Sequence, residues 1–485
     1  MHFGRWLHTS ALLVGLSFLL GGCASVSPTS TPATLDKVLA DPALHGATVS
    51  LMVRDARSGS TLYQHNPRTR LVPASNLKLL TTAAAMDVLG AQYRFATQLL
   101  SDGVRQGDRL TGNLYLRGLG DPTIQYADYQ ALAAQLASQG VRQVQGDLVF
   151  DDTWFDAERL GVDWSYDDET TYYGAQISAL TVSPNADFDA GSVLVTAKAP
   201  VRAGLPVTVD LYPPSDYLQL SNRAVSGPGN SYGINRRHGT NLLQLSGTVA
   251  PGRQSEQLVS VWEPTQWVAN LFEQALAQQG IRVHGRRIMG GASPATATLL
   301  AEHRSAPLQE LITPLLKLSN NNMSEALLKA MGRKTANSGT AAAGVAAVAG
   351  FLKRQGVDTS TLSQVDGSGL SRRNLLSSQT LTDLLLAASK QPWFDAWYNA
   401  LPIAGNSDRM TGGSLRYRLH ATAAENNLHG KTGSMSGVSS LSGYLTDAQG
   451  RRLVFAMISN NYLSDTASIH ALENRLAVAL AQWHD

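Results

Sequence analysis

The chain has a single cysteine, Cys23, in 485 residues. No intramolecular disulfide can form, so the fold must hold by packing alone. Neither charge is in surplus: 39 basic residues against 37 acidic ones leave +2. No basic block with interleaved aromatics marks a nucleic-acid surface. The 11 histidines are scattered, without His-x-x-x-His spacing or cysteine partners, so no metal cluster and no cofactor is expected. His429 is read as a structural or local-electrostatic residue. No internal repeat is evident. The longest apolar stretch is too short to span a bilayer comfortably.

What is present is a globular composition, 43% hydrophobic and 16% charged, which excludes a disordered chain. The length implies two to four domains. At the N-terminus Arg5 and His8 precede the apolar run Ala11 to Leu20, and Gly21-Gly22-Cys23 follows. That order predicts an export signal over 1–22. Leu20-Gly-Gly-Cys23 resembles a bacterial lipobox, which implies a lipid anchor on Cys23. By the same resemblance, Ala24 in place of aspartate favours the outer membrane. Residues 23–34, rich in Ser, Thr and Pro, read as a lipidated flexible tether. The expected location is exported and periplasmic.

Alternation predicts strands at both ends of the chain. Thr48-Val-Ser-Leu-Met-Val-Arg and Thr61-Leu-Tyr-Gln-His flank a turn; so do Leu441 to Thr446 and Leu453 to Ile458. Asp465 can cap a last helix with Ile469, Leu472, Leu476, Leu480 and Trp483 on one face. Hairpins at both ends with helices between suggest one α+β domain closed by both termini. From about Thr97 to Arg304 the texture changes to short alternating segments with turns. Strands are expected near Leu194, Val207 and Leu242, and a helix from Pro264 to Gln279. This middle reads as an insertion of two subdomains.

Three motifs carry chemistry. Pro73-Ala-Ser-Asn-Leu-Lys78 holds Ser75 and Lys78, three apart, at the start of an expected helix whose apolar positions are Leu77, Leu80, Ala84 and Val88. That spacing can set a hydroxyl beside an amine, a nucleophile beside its base. Ser319-Asn-Asn321 enters another helix, where serine and asparagine could equally act only as caps. His429-Gly-Lys431-Thr432-Gly433-Ser434 begins a strand, where Lys-Thr-Gly could equally be a plain turn.

In this order, Ser-x-x-Lys, Ser-x-Asn and Lys-Thr-Gly resemble the penicillin-recognising serine enzymes, the penicillin-binding proteins and serine β-lactamases. The long gap from Ser75 to Ser319 narrows the resemblance to class-C low-molecular-mass penicillin-binding proteins, the type-4 D-alanyl-D-alanine carboxypeptidase/endopeptidases. Gly118-Leu-Gly-Asp-Pro-Thr, Asp151-Asp-Thr-Trp-Phe, Trp164-Ser-Tyr-Asp-Asp-Glu, Tyr173-Gly-Ala-Gln-Ile-Ser and Asp366-Gly-Ser-Gly-Leu-Ser-Arg agree with that family. Two departures are local: Asn320 stands where aspartate is frequent, and Ser434 where threonine is frequent.

The resemblance implies a transpeptidase-type α+β domain over 35–96 and 305–485. It implies a large, mostly β insertion: subdomain II over 97–185 and 257–304, and subdomain III over 186–256. It implies Ser75 as nucleophile, Lys78 as base, Ser319 as proton path and Asn321 as donor to the substrate amide. Lys431, with Thr432 or Ser434, would anchor a terminal carboxylate. The oxyanion hole would use the backbone N–H groups of Ser75 and Ser434. Gly433, lacking a Cβ, is expected to let substrate lie against the strand edge. Asp168, Tyr173, Arg372 and Met435 match positions that hold the side-chain amine and carboxylate of meso-diaminopimelate. The Asp366-Gly-Ser-Gly loop is expected beside the site, and no catalytic claim is made for it. The implied substrates are peptidoglycan stem peptides ending in D-Ala-D-Ala, or D,D cross-links, with β-lactams as covalent inhibitors. A β-lactamase and an inactive peptidoglycan-binding lipoprotein are the alternatives. The missing Glu-x-x-x-Asn deacylation loop speaks against the first, and the intact motif residues against the second.

Overall fold

The first strands of the chain pair with the last ones. The computed structural model describes residues 30–484, so the expected signal and Cys23 lie outside the described residues. Strands Thr48–Asp55 and Thr61–His65 form one hairpin, and Val438–Thr446 and Arg452–Asn460 form the other. Thr48–Asp55 lies antiparallel to Arg452–Asn460 and joins the hairpins edge to edge. His429–Met435 completes the five-stranded antiparallel sheet at the opposite edge from Thr61–His65.

Both faces of this sheet are covered, and strand periodicity decides which residue goes where. Leu453, Phe455 and Met457 enter a cluster with Leu35, Val38 and the C-terminal helix Thr466–Ala481. Val454, Ala456 and Ile458 enter a second cluster with helices Lys78–Val88, Leu308–Leu318, Asn321–Ala336 and Ser378–Ala388. A strand buried on both sides reads as a near-continuous apolar run, which Leu453-Val-Phe-Ala-Met-Ile is. Each such side chain contributes roughly 1.5–3 kcal/mol on burial. The Asp465 carboxylate accepts the Ser468 N–H as a helix cap; Trp483 is buried but lies beyond the helix end.

Residues 23–29 of the tether expected over 23–34 lie outside the described residues; its last residues are helical, because a helix spans Thr31–Leu39. Pro32 sits in its first turn, where the missing N–H costs nothing. Leu35 and Val38 then pack into the cluster of the C-terminal helix, and that burial orders residues 31–34.

The middle of the chain leaves and returns through adjacent strands. Ala96–Ser101 and Thr298–Arg304 pair antiparallel. They belong to a five-stranded mixed sheet in which Leu148–Asp151 runs parallel to both Leu114–Gly118 and Arg287–Met289. The crossover between Leu114–Gly118 and Leu148–Asp151 contains the helix Tyr126–Ser138, which the sequence reading missed. Parallel neighbours require such a crossover, and Asp128 begins this helix by accepting the Gln125 N–H. Strands Ser192–Lys198, Thr208–Tyr212 and Leu242–Ser246 and helix Pro264–Gln278 stand near their expected places. Residues from both expected subdomains, including Val193, Leu243, Phe150 and Trp267, share one apolar cluster.

Candidate active site

Ser75 does not lie on the α-helix expected from Pro73. Ala74–Leu77 form a 3₁₀ turn, and the α-helix begins at Lys78. The tighter turn suits the pair better, because side chains three apart eclipse in a 3₁₀ helix. Tertiary contacts impose it. Ala74 is held at φ +47, a left-handed conformation that costs a non-glycine residue roughly 1–2 kcal/mol. Its carbonyl oxygen lies 2.0 Å from where a Cβ of Gly369 would be. Asn76 donates to Ser440 Oγ, and Ser440 Oγ donates to the Pro73 carbonyl, tying the turn to the central sheet.

Lys78 is fully buried. Its Nζ lies 2.9 Å from Ser75 Oγ, 2.7 Å from Asn321 Oδ1 and 2.7 Å from the Ser368 carbonyl oxygen. Loss of hydration lowers its pKa to about 7, against the opposing charges of Asp366 and Glu325. A neutral amine has two N–H donors and one lone pair. Asn321 and Ser368 offer acceptors for the two donors, which leaves the lone pair for the Ser75 hydroxyl proton.

The acids beneath Lys78 were missed by sequence reasoning. Glu325 is buried and accepts the N–H groups of Gly367 and Ser368. Burial, then the nearby Asp366 charge, raises its pKa to about 7. Asp366 accepts from Gly369 N, Ser371 N, Asn374 Nδ2 and Trp164 Nε1. The Asp366-Gly-Ser-Gly loop therefore supplies, through the Ser368 carbonyl, one of the three groups that hold Lys78. The available signal was Glu325 itself, a charge on the apolar face of the helix one turn beyond Asn321.

Ser319 ends helix Leu308–Leu318 at φ +60, and Asn320 caps the next helix by accepting the Met323 N–H. The sharp junction turns Ser319 and Asn321 into the cleft while Asn320 faces the insertion. Asn320 Nδ2 donates to the carbonyls of Asp187 and Phe188. An aspartate could cap here but could not make those two donations. Asn321 Nδ2 donates to the Tyr173 carbonyl at 2.9 Å, which orients its oxygen toward Lys78 and leaves one N–H for a ligand.

Along His429–Met435, alternation sends Lys431 and Gly433 inward and Thr432 and Ser434 outward. Lys431 is buried, and its Nζ donates to Ser319 Oγ at 2.9 Å and to the Thr432 carbonyl at 2.7 Å. Loss of hydration, then repulsion from Lys78, holds its pKa well below the usual lysine range. Thr432 Oγ1 shares a hydrogen bond of 2.7 Å with Ser414 Oγ. The missing Cβ of Gly433 also serves the protein's own packing. A Cβ there would lie 2.4 Å from Ser440 Oγ, 2.7 Å from the Pro73 carbonyl and 2.9 Å from Ser75 N. Its bareness lets the strand approach the nucleophile turn. His429 stacks on Tyr398 with ring centres 4.2 Å apart, and burial lowers its pKa to about 4.

A cleft of about 430 Å³ brings Ser75, Ser319, Asn321 and Ser434 together with Asp168, Tyr173, Arg372 and Met435. Asp168, in the 3₁₀ turn Tyr166–Asp168, accepts the Tyr173 hydroxyl at 2.9 Å. Across from it, Arg372 donates to the Ser436 carbonyl. The cleft is thus lined by hydroxyls and an amide together with the carboxylates of Asp163, Asp167 and Asp168 and the Arg372 guanidinium. Among the described residues, no group of three or more His, Cys, Asp or Glu could hold a metal ion.

Comparison with known proteins places this geometry. The model of the D-Ala-D-Ala carboxypeptidase 3 (S13) family matches residues 31–483. A D-alanyl-D-alanine carboxypeptidase from an Actinomadura species is 42% identical over 479 residues, covering 97% of this chain and 88% of that protein. The carboxypeptidase DacB of Haemophilus influenzae is 28% identical over 86% of each. The crystal structure of Haemophilus influenzae penicillin binding protein 4 superposes with a TM-score of 0.81 at 25% identity, over 93% of this chain and 99% of that one. The same protein solved with a bound β-lactam gives a TM-score of 0.76, also at 25% identity, over 93% and 100% of the two chains.

Proposed function

The chain belongs to the D-Ala-D-Ala carboxypeptidase 3 (S13) family, and on that premise we propose how its residues divide the work of a serine-type D-alanyl-D-alanine carboxypeptidase. The observation that carries the reading is the buried Lys78 amine, 2.9 Å from Ser75 Oγ and with its pKa brought near 7. Neutral Lys78 takes the Ser75 proton as Oγ attacks the carbonyl between the two D-alanines. The oxyanion forms between the N–H groups of Ser75 and Ser434, where each donor lowers the barrier by roughly 3 kcal/mol. As the C–N bond breaks, Lys78 gives up the proton it took, which passes through Ser319, whose hydroxyl is held by Lys431, to the leaving nitrogen, so that Lys78 is neutral again. Water then attacks the acyl ester and gives a proton to neutral Lys78, which returns it to Ser75 Oγ as the ester C–O bond breaks. The leaving carboxylate sits at the Thr432 and Ser434 hydroxyls, with the buried Lys431 charge behind them. Asp168, Tyr173, Arg372 and Met435 form the pocket for a donor side chain carrying an amine and a carboxylate; carboxylate and guanidinium complement those groups.

β-Lactams are proposed to acylate the same serine, which the solved complex of the Haemophilus relative supports by analogy. Export, and anchoring through a lipid on Cys23, would bring the enzyme to its polymer.

The test is labelled penicillin and a D-Ala-D-Ala pentapeptide, with adduct mass and released D-alanine followed together. A lasting adduct on Ser75 with D-alanine release supports the peptidase. Rapid penicillin turnover would point to a β-lactamase, and absence of any adduct to a binding protein.

A further inference from the structure

The Ser75 cleft continues past Ser319 and Asn321 into a second cavity of about 310 Å³. Both halves of the fold wall it: Asp187 and Asp189 come from the insertion, and Arg409, Ser414 and Arg416 from the segment before the Lys431 strand. The cavity begins where the leaving end of a substrate is placed, because Ser414 Oγ is hydrogen-bonded to Thr432 Oγ1 at 2.7 Å. Its charges are unequally used. Arg409 pairs with both carboxylate oxygens of Asp187. Asp189 accepts from Asn185 Nδ2 at 2.8 Å. Arg416 spends one N–H on the Gly413 carbonyl at 2.9 Å and lies 4.6 Å from the centre of the Tyr417 ring. No carboxylate among the described residues pairs with it. Lys317 also lines the cavity, but it is buried and its Nζ donates to the Leu401 and Thr411 carbonyls, so the half-exposed Arg416 guanidinium is the cation this wall offers to an incoming anion.

A leaving D-alanine needs none of this. It ends at the Thr432 and Ser434 hydroxyls. A cavity beyond that point suits a leaving group that goes on, and a guanidinium without a carboxylate partner on its wall suits one that carries a carboxylate.

We infer that the second cavity is a leaving-strand subsite: it takes an acidic peptide whose amine departs from the Ser75 acyl group, and Arg416 pairs with a carboxylate of that peptide. The inference rests on the Ser75 reading above. The chemistry is unchanged: the acyl C–N bond breaks, the nitrogen takes the proton, and water later splits the ester.

The experiment compares the full chain with Arg416→Gln and Arg416→Lys on three probes: a monomeric stem pentapeptide, a dimer of two stem peptides joined by a D,D bond, and labelled penicillin. Arg416→Gln is expected to raise KM for the dimer about tenfold while kcat stays within about twofold. Arg416→Lys should recover part of the loss, since it keeps the charge but not the fork. Pentapeptide cleavage and penicillin labelling should stay within about twofold in both variants, which also shows that they fold. An unchanged dimer KM, or equal losses on dimer and pentapeptide, would overturn the subsite. Failure of the wild-type chain to take penicillin would instead overturn the Ser75 reading.

Discussion

The Ser75 turn and the Asp168 turn face each other across one cleft and are built in opposite ways. Around Ser75 the working groups are inside the protein: Lys78, Lys431, Glu325 and Asp366 are all buried, and each has named partners. None of the residues of Tyr166–Asp168 is buried, and Asp168 holds its carboxylate position through the Tyr173 hydroxyl. The rim is moored one residue further on, where buried Glu169 meets Arg236 and His238. In the interior a displaced polar group has nowhere else to bond, so small changes there cost heavily. On the rim, solvent replaces what is lost. On the proposed reading, the chemistry lies in the rigid part and the choice of peptide in the forgiving part.

Substitutions can break this contrast, and the largest effects belong to the interior. Ser75→Ala should abolish penicillin labelling, read as the complete absence of the adduct mass. Lys78→Ala should slow acylation by roughly 10²–10⁴-fold, the usual worth of a positioned base, measured by stopped-flow labelling. Gly433→Ala comes next. Its methyl would overlap Ser440 Oγ, the Pro73 carbonyl and the Ser75 backbone. Overpacking of this kind costs about 1–3 kcal/mol, and the displaced nucleophile should lose about 10² in acylation rate. Thermal unfolding and labelling rate check the two parts. At the rim, Asp168→Asn should raise KM about tenfold for stem peptides carrying a side-chain amine. Penicillin acylation should change little; a parallel fall in both would erase the distinction between the regions.

The same contrast explains what the sequence disclosed. The motif spacings and the terminal hairpins were legible because short spacings, alternation as in Thr48 to Arg54 and apolar runs between turns as in Leu453 to Ile458 are local signals. The 3₁₀ turn at Ser75 was not, because Gly369 and the Lys431 strand impose it from far along the chain. Helix Tyr126–Ser138 was passed over because its alanines and glutamines hide the apolar stripe made by Tyr129, Leu132, Ala133 and Leu136. Glu325 was not singled out, because only the fold turns it under Lys78. Asp168 and Arg372 came from resemblance, since nothing in their spacing brings them to one cleft.

The smallest effect sharpens the seam between the halves. Asn320→Asp keeps the helix cap but loses the donations to the Asp187 and Phe188 carbonyls. At about 1 kcal/mol per hydrogen bond, it should lower the unfolding temperature by a few degrees and leave the Ser75 labelling rate within about twofold.

The central claim is that Lys78 works as a neutral base, and the pH dependence of penicillin acylation tests it. Below the Lys78 pKa the amine is protonated and cannot take the Ser75 proton, so the rate should rise with pH and level off above a midpoint near 7. Burial and the Asp366 charge raise the Glu325 pKa as well, so the midpoint is an apparent value that reports the cluster. The Glu325 charge favours protonated Lys78. Glu325→Gln should therefore move the midpoint to lower pH while Ser75 remains the labelled residue. A wild-type rate that is flat from pH 5 to 9, or a midpoint that Glu325→Gln leaves in place or raises, would contradict the account.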